Sequence, residues 1–225
     1  MNQEAPVNPL PPVVIILFLI VAVVEGLLTL ADMRFIGGNS GIGWRLDALT
    51  RYSFSPAVWE QVAIRGRFDS ELILRFFTYP FVHAAPMQAV FGGVILLALG
   101  KYVGEVLRPV GLLAVFIGAM VIGAVVFGML VSGRVALYGI YTPVYGLIGA
   151  YTYLMWLRLK MMGQNQIKAF RLIGFLLGIQ LVFGLLFGAG PQWIAELAGF
   201  FTGFGISILV APGGWTGFLA RLRHR

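Results

Sequence analysis

Hydrophobic positions in this chain gather into long runs separated by short polar or glycine-proline breaks. A bilayer core of about 30 Å needs about 20 mostly apolar residues per helix, and that ruler finds six runs. They are Val13 to about Ala31, about Val82 to Leu99, Val110 to Val131, Tyr138 to Leu157, Leu172 to Ala189 and Trp193 to Ala211. The pattern predicts an all-α polytopic membrane protein, a single six-transmembrane-helix domain over residues 1–225. Residues 1–12 and 212–225 would be tails and 32–81 one long first loop.

Composition agrees with the pattern. Of 225 residues, 59% are apolar and 11% charged, against about a quarter charged in soluble domains. There is no cysteine, and the only histidines are His83 and His224, so disulfides, thiolate chemistry and a His/Cys metal centre are not expected. No cofactor is expected either. The net charge of +7 falls in loops between apolar runs. It reads as a surface facing anionic lipid, and not as a nucleic-acid interface. MNQEAPVNPLPP lacks the basic start of a signal peptide, so the first run is expected to persist as a helix.

The short loops set an orientation. Lys101, Arg108, Arg158, Lys160, Lys168, Arg171, Arg221, Arg223 and Arg225 fall on one side, and only Arg134 on the other. The positive-inside rule puts both termini in the cytoplasm and the long loop outside, with a bacterial inner membrane as the expected location. That loop carries Trp44, Phe54, Trp59 and Phe68, which read as an interfacial aromatic belt or as a docking surface for a partner helix. Glycines at 118, 123, 128, 146 and 188, and the GxxxG pairs Gly174/Gly178 and Gly199/Gly203, predict close helix packing within the chain.

Three stretches carry a resemblance. RFFTYPFVHAAPMQAVFGGVILLALGKYVGEVLRP, GIYTPVYGLIGAY and ELAGFFTG occur in that order, and the chain from Arg75 to Val210 resembles the rhomboid intramembrane serine proteases. The resemblance implies the same six-helix fold with cytoplasmic termini and a long first loop. It also implies three motifs. A His-x4-His-x3-Asn motif supplies oxyanion donors, Gly-x-Ser-Gly the nucleophile, and His-x-x-Gly-x3-Gly the general base.

This sequence departs from the motifs where the chemistry would be. His83 keeps the first histidine, but Gln88 and Gly92 replace the second histidine and the asparagine. Gly139-Ile140-Tyr141-Thr142 puts Tyr141 in the serine's place, and Glu196 stands where the base belongs, while Gly199 and Gly203 are kept. Gln88 could still donate a hydrogen bond; Gly92 cannot. Thr142, or Ser132 or Ser207 on other segments, with Glu196 or His83 as base, are the remaining arrangements for a displaced nucleophile. Glu196 is expected to be hydrogen-bonded to Tyr141 or to carry a proton, because an isolated charge in hydrocarbon is costly. Glu25, deep in the first run, needs a polar partner such as His83, Gln88 or another protein.

The expected function is that of an inactive rhomboid homologue. It would bind transmembrane segments of client membrane proteins, in assembly, stability or quality control, without cleaving them. A rhomboid-family serine-type endopeptidase with an atypical site, or a fixed accessory subunit of a membrane complex, are the alternatives. Expected partners are the bilayer and transmembrane helices.

Overall fold

A computed structural model of the chain describes residues 9–187 and 190–212. Gly188 and the expected cytoplasmic sequences 1–8 and 213–225, with Arg221, Arg223, His224 and Arg225, lie outside the described residues.

Nine α-helices follow one another among the described residues: α1 (Pro12–Asp32), α2 (Gly38–Gly41), α3 (Trp44–Tyr52), α4 (Pro56–Trp59), α5 (Ser70–Thr78), α6 (Pro86–Leu130), α7 (Tyr141–Met161), α8 (Arg171–Phe187) and α9 (Gln192–Val210). A π-helical turn, Glu60–Ile64, and 3-10 turns at Tyr79–Phe81 and Gln166–Phe170 complete the helical elements. The chain is therefore an all-α membrane protein. Among the described residues α1, α6 and α9 are each long and apolar enough to cross a bilayer.

The expected loop at 101–108 is helical. GKYVGEVL holds no proline, so α6 continues through its two glycines to a single kink, where Arg108 has φ 61 and ψ 165 and Pro109 follows. Proline disfavours the helical region for the residue before it and is well placed to start a new helical segment. The kink divides the 45 residues of α6 into two apolar segments, 86–107 and 109–130.

α7 sits at the centre. Residues 142–150 are buried without interruption, enclosed by both segments of α6 and by α9. Glycines let the backbones meet. A Cβ on Gly203 would run into the carbonyl oxygen of Gly146, one on Gly199 into that of Thr142, and one on Gly149 into that of Phe200. Such contact supplies van der Waals and Cα–H···O attraction where lipid provides no hydrophobic drive. α1 uses the same device against α6, with Val14 lying where a side chain on Gly100 would go and Pro11 where one on Gly104 would go. The Gly174/Gly178 pair does not follow the expectation: neither position has an atom within 4 Å of an added Cβ, so α8 does not use that face inside the chain.

The long connection is less of a belt than its aromatic content predicts. Phe54 is fully buried with Val58, Phe76 and Tyr79 against Met120, Ala124 and Phe127 of α6. Phe54 also pairs its backbone with Leu137, N–H to O at 2.9 and 2.7 Å. Trp59 covers Gly128. Trp44 and Phe68 stay exposed. The loop is therefore anchored to the stretch leading into α7.

Candidate functional site

The turn before α7 is built on Gly139, whose φ of +85 lies in the left-handed region that glycine enters without strain. Its N–H donates to the carbonyl of Tyr79 at 2.9 Å. The next N–H, that of Ile140, donates to Nε2 of His83 at 3.3 Å. His83 is fully buried. Because Nε2 accepts, the neutral ring carries its proton on Nδ1, and Nδ1 faces Oε2 of Glu25 at 3.8 Å.

Glu25 finds its main partner elsewhere. The buried residues of α1, Val14, Leu17, Val21, Glu25 and Leu28, follow the three-and-four spacing of one helix face. Glu25 therefore points into the protein. Its Oε1 receives Nη2 of Arg45 at 2.8 Å and the hydroxyl of Thr29 at 3.0 Å. Arg45 also donates to Asp32 at 2.7 Å and to the carbonyl of His83 at 3.0 Å. Burial opposes the Arg45 charge, but its hydrogen bonds to Glu25 and Asp32 outweigh that and raise its pKa further. Of the partners expected for Glu25, His83 is adjacent, whereas Gln88 turns away to accept the N–H of Ala84 at 3.2 Å. Arg45 was not anticipated. A buried acid calls for a cation, and the signal was present in the six arginines of the loop, but nothing in the spacing singled one out.

Gly92 lies on α6 opposite the turn, and a Cβ there would collide with Cγ2 of Ile140. The volume in which the resemblance places an oxyanion-binding side chain is occupied by Ile140. Tyr141 opens α7, half-buried. Thr142 is 1% exposed, and its hydroxyl bonds the phenol of Tyr79, which in turn donates to the carbonyl of Met120 at 2.9 Å.

The expected Tyr141–Glu196 hydrogen bond is absent. Glu196 is buried on α9 and instead accepts from the side-chain amide of Gln180 on α8. The two phenols Tyr141 and Tyr145 remain within electrostatic range of its carboxyl. A carboxamide with free rotation on a neighbouring helix outcompetes a phenol fixed at a helix start. Gln180 is the sole amide in α8, and that polar residue within an apolar run was the overlooked signal.

The structure thus brings Gly139, His83, Gly92 and Tyr141 together at one end of α7, with Gly146, Gly199 and Gly203 packing α7 on α9 below them. Glu25 joins from α1. Residues 70–213 match the family model of the Rhomboid domain. None of the curated proteins compared matches the chain. The matched segment spans more than half of the 225 residues and contains α5 to α9 with every position of this site except Glu25 and Arg45; the chain belongs to the rhomboid family.

Proposed function

We propose that this rhomboid-family membrane protein is a pseudoprotease: it binds transmembrane segments of other membrane proteins and does not cleave them. The observation that carries the reading is the filled site. Tyr141 stands in the nucleophile's position, and Ile140 occupies the space beside Gly92 where an oxyanion donor would project. Acyl transfer needs an activated nucleophile and preorganised donors for the developing oxyanion. Neither is provided by Tyr141 or Gly92, and Glu196 is engaged by Gln180.

The same reading places six spans in a bacterial inner membrane. α6 contributes two, one on each side of the Arg108 kink, and α1, α7, α8 and α9 one each, with both termini cytoplasmic. A client helix would enter laterally between segment 86–107 and α8 and be held by polar groups near Tyr141 and Glu196. The exposed apolar face of α8, with Phe175, Leu181 and Leu185, supports such an entry side.

A displaced hydrolase finds little support, because Thr142 is buried and bonded to Tyr79. The test is direct. Purified protein should not react with a fluorophosphonate probe and should leave a model transmembrane substrate intact, while co-purifying with several membrane proteins in mild detergent. Labelling on α7 would overturn the assignment. One stoichiometric partner would point to a fixed subunit instead.

A further inference from the structure

An apolar groove of about 480 Å³ runs between the second segment of α6 and the first half of α9. Ile122, Val126 and Leu130 form one wall, and Trp193, Leu197 and Phe201 the other. Each wall repeats every four residues, so each is a stripe along its helix. Ile122, Leu130, Trp193 and Phe201 are exposed. The opposite side of α6 is covered at this level, where Trp59 packs on Gly128. The groove is closed at depth. Gly118 continues the α6 stripe by one more turn, and Ile206 lies where a side chain on it would go.

Its length selects an occupant. Each wall runs over eight residue steps, about 12 Å at 1.5 Å per residue. Half of a hydrocarbon core of about 30 Å is about 15 Å, so the groove is one leaflet deep. A transmembrane helix would need a seat through both leaflets; an acyl chain needs one. The mouth lies at the Leu130 and Trp193 end, and tryptophan is the side chain favoured at the membrane–water interface. The connection from Leu130 is held to the start of α9 by Gln192, whose amide donates to the carbonyl of Ala136 at 3.3 Å. Between those two points stands Arg134, exposed and without a hydrogen bond or ion pair among the described residues. Residues 131–140 contain no acid.

We infer that this groove holds one anionic phospholipid of the leaflet at the Trp193 end, with an acyl chain between α6 and α9 and its phosphate on Arg134. A guanidinium offers a phosphate two parallel N–H bonds. A zwitterionic headgroup brings its own cation to that phosphate, whereas phosphatidylglycerol does not, so the site is selective for net negative charge. The inference is independent of whether the chain binds or cleaves client helices.

Native mass spectrometry of the full chain, titrated in detergent with phosphatidylglycerol or with phosphatidylcholine of the same acyl chains, tests it. The wild type should retain a single phosphatidylglycerol, about fivefold more strongly than phosphatidylcholine, the effect of one basic side chain near an anionic headgroup. Arg134→Ala should remove the preference and Arg134→Lys keep most of it, while Lys168→Ala, at the other end of α7, leaves it unchanged. Ala198→Phe fills the groove and should lose the retained lipid; Ile20→Phe on the exposed face of α1 should not. Equal retention of the two lipids, or a preference that survives Arg134→Ala, overturns the inference whether or not Ala198→Phe folds. Undiminished phosphatidylglycerol on folded Ala198→Phe overturns the groove as its seat. A dimer mass in the wild type that Ala198→Phe removes gives the groove to a second copy and overturns the lipid.

Discussion

Ile140 places its Cγ2 where any side chain on Gly92 would have to go. Gly92 lies on α6 and Ile140 in the turn before α7, and on the pseudoprotease reading they close the space into which the family's oxyanion donor would project. Restoring a nucleophile and a base is therefore not enough. Tyr141→Ser with Glu196→His should give at most slow labelling by a fluorophosphonate. Adding Gly92→Asn and Ile140→Ala should raise the labelling rate by about 100-fold or more, the range of a lost oxyanion donor. Gly92→Asn alone should destabilise the fold, and Ile140→Ala should relieve it. Mass-spectrometric adduct rates and detergent unfolding read both.

The Glu25–Arg45 pair is almost fully buried, with 9% and 11% of the side chains exposed. Removing one partner of such a pair strands the other. Glu25→Leu should cost about 3 kcal/mol, the lower end for a buried pair, because Asp32 still holds Arg45 at 2.7 Å. Arg45→Leu should cost a similar amount, and the double variant less than the sum. Equilibrium unfolding in mixed micelles measures the cycle, and strict additivity would show that the two groups do not interact.

Backbone contact between α7 and α9 makes Gly203 intolerant of even one methyl group. Gly203→Ala should cost about 1–3 kcal/mol as an overpacking change, because the atom it meets is the carbonyl of Gly146 and cannot rotate away. Gly205→Ala, two residues on with nothing within 4 Å, is the control and should shift the unfolding midpoint little. Gly174→Ala and Gly178→Ala should behave like the control.

Tyr79 links three elements through its hydroxyl, which donates to Met120 on α6 and receives Thr142 from α7. Tyr79→Phe removes a second bond from the Met120 carbonyl, which keeps its helical partner, and leaves the buried Thr142 hydroxyl short of one, so a loss of about 1–3 kcal/mol is expected. Thr142→Val should cost less, and the pair should be non-additive. Client capture in pull-downs should survive both changes, since neither residue is assigned to the client.

The sequence by itself determined the membrane setting and the all-α character, because runs of about 20 apolar residues have few other uses. Gly199 and Gly203 were legible as packing positions, since only glycine removes the Cβ. Partnerships were not legible. Glu25 needed a polar partner, but that Arg45 would be that partner depended on how residues 33–81 fold back over α1. Glu196 met Gln180 instead of Tyr141 because the fold brings one amide of α8 within reach of α9, a relation that no local spacing encodes. Whether a glycine pair packs inside or faces outward was also decided in three dimensions, as the contrast between Gly199/Gly203 and Gly174/Gly178 shows. Identical motifs differ there only in what stands opposite them.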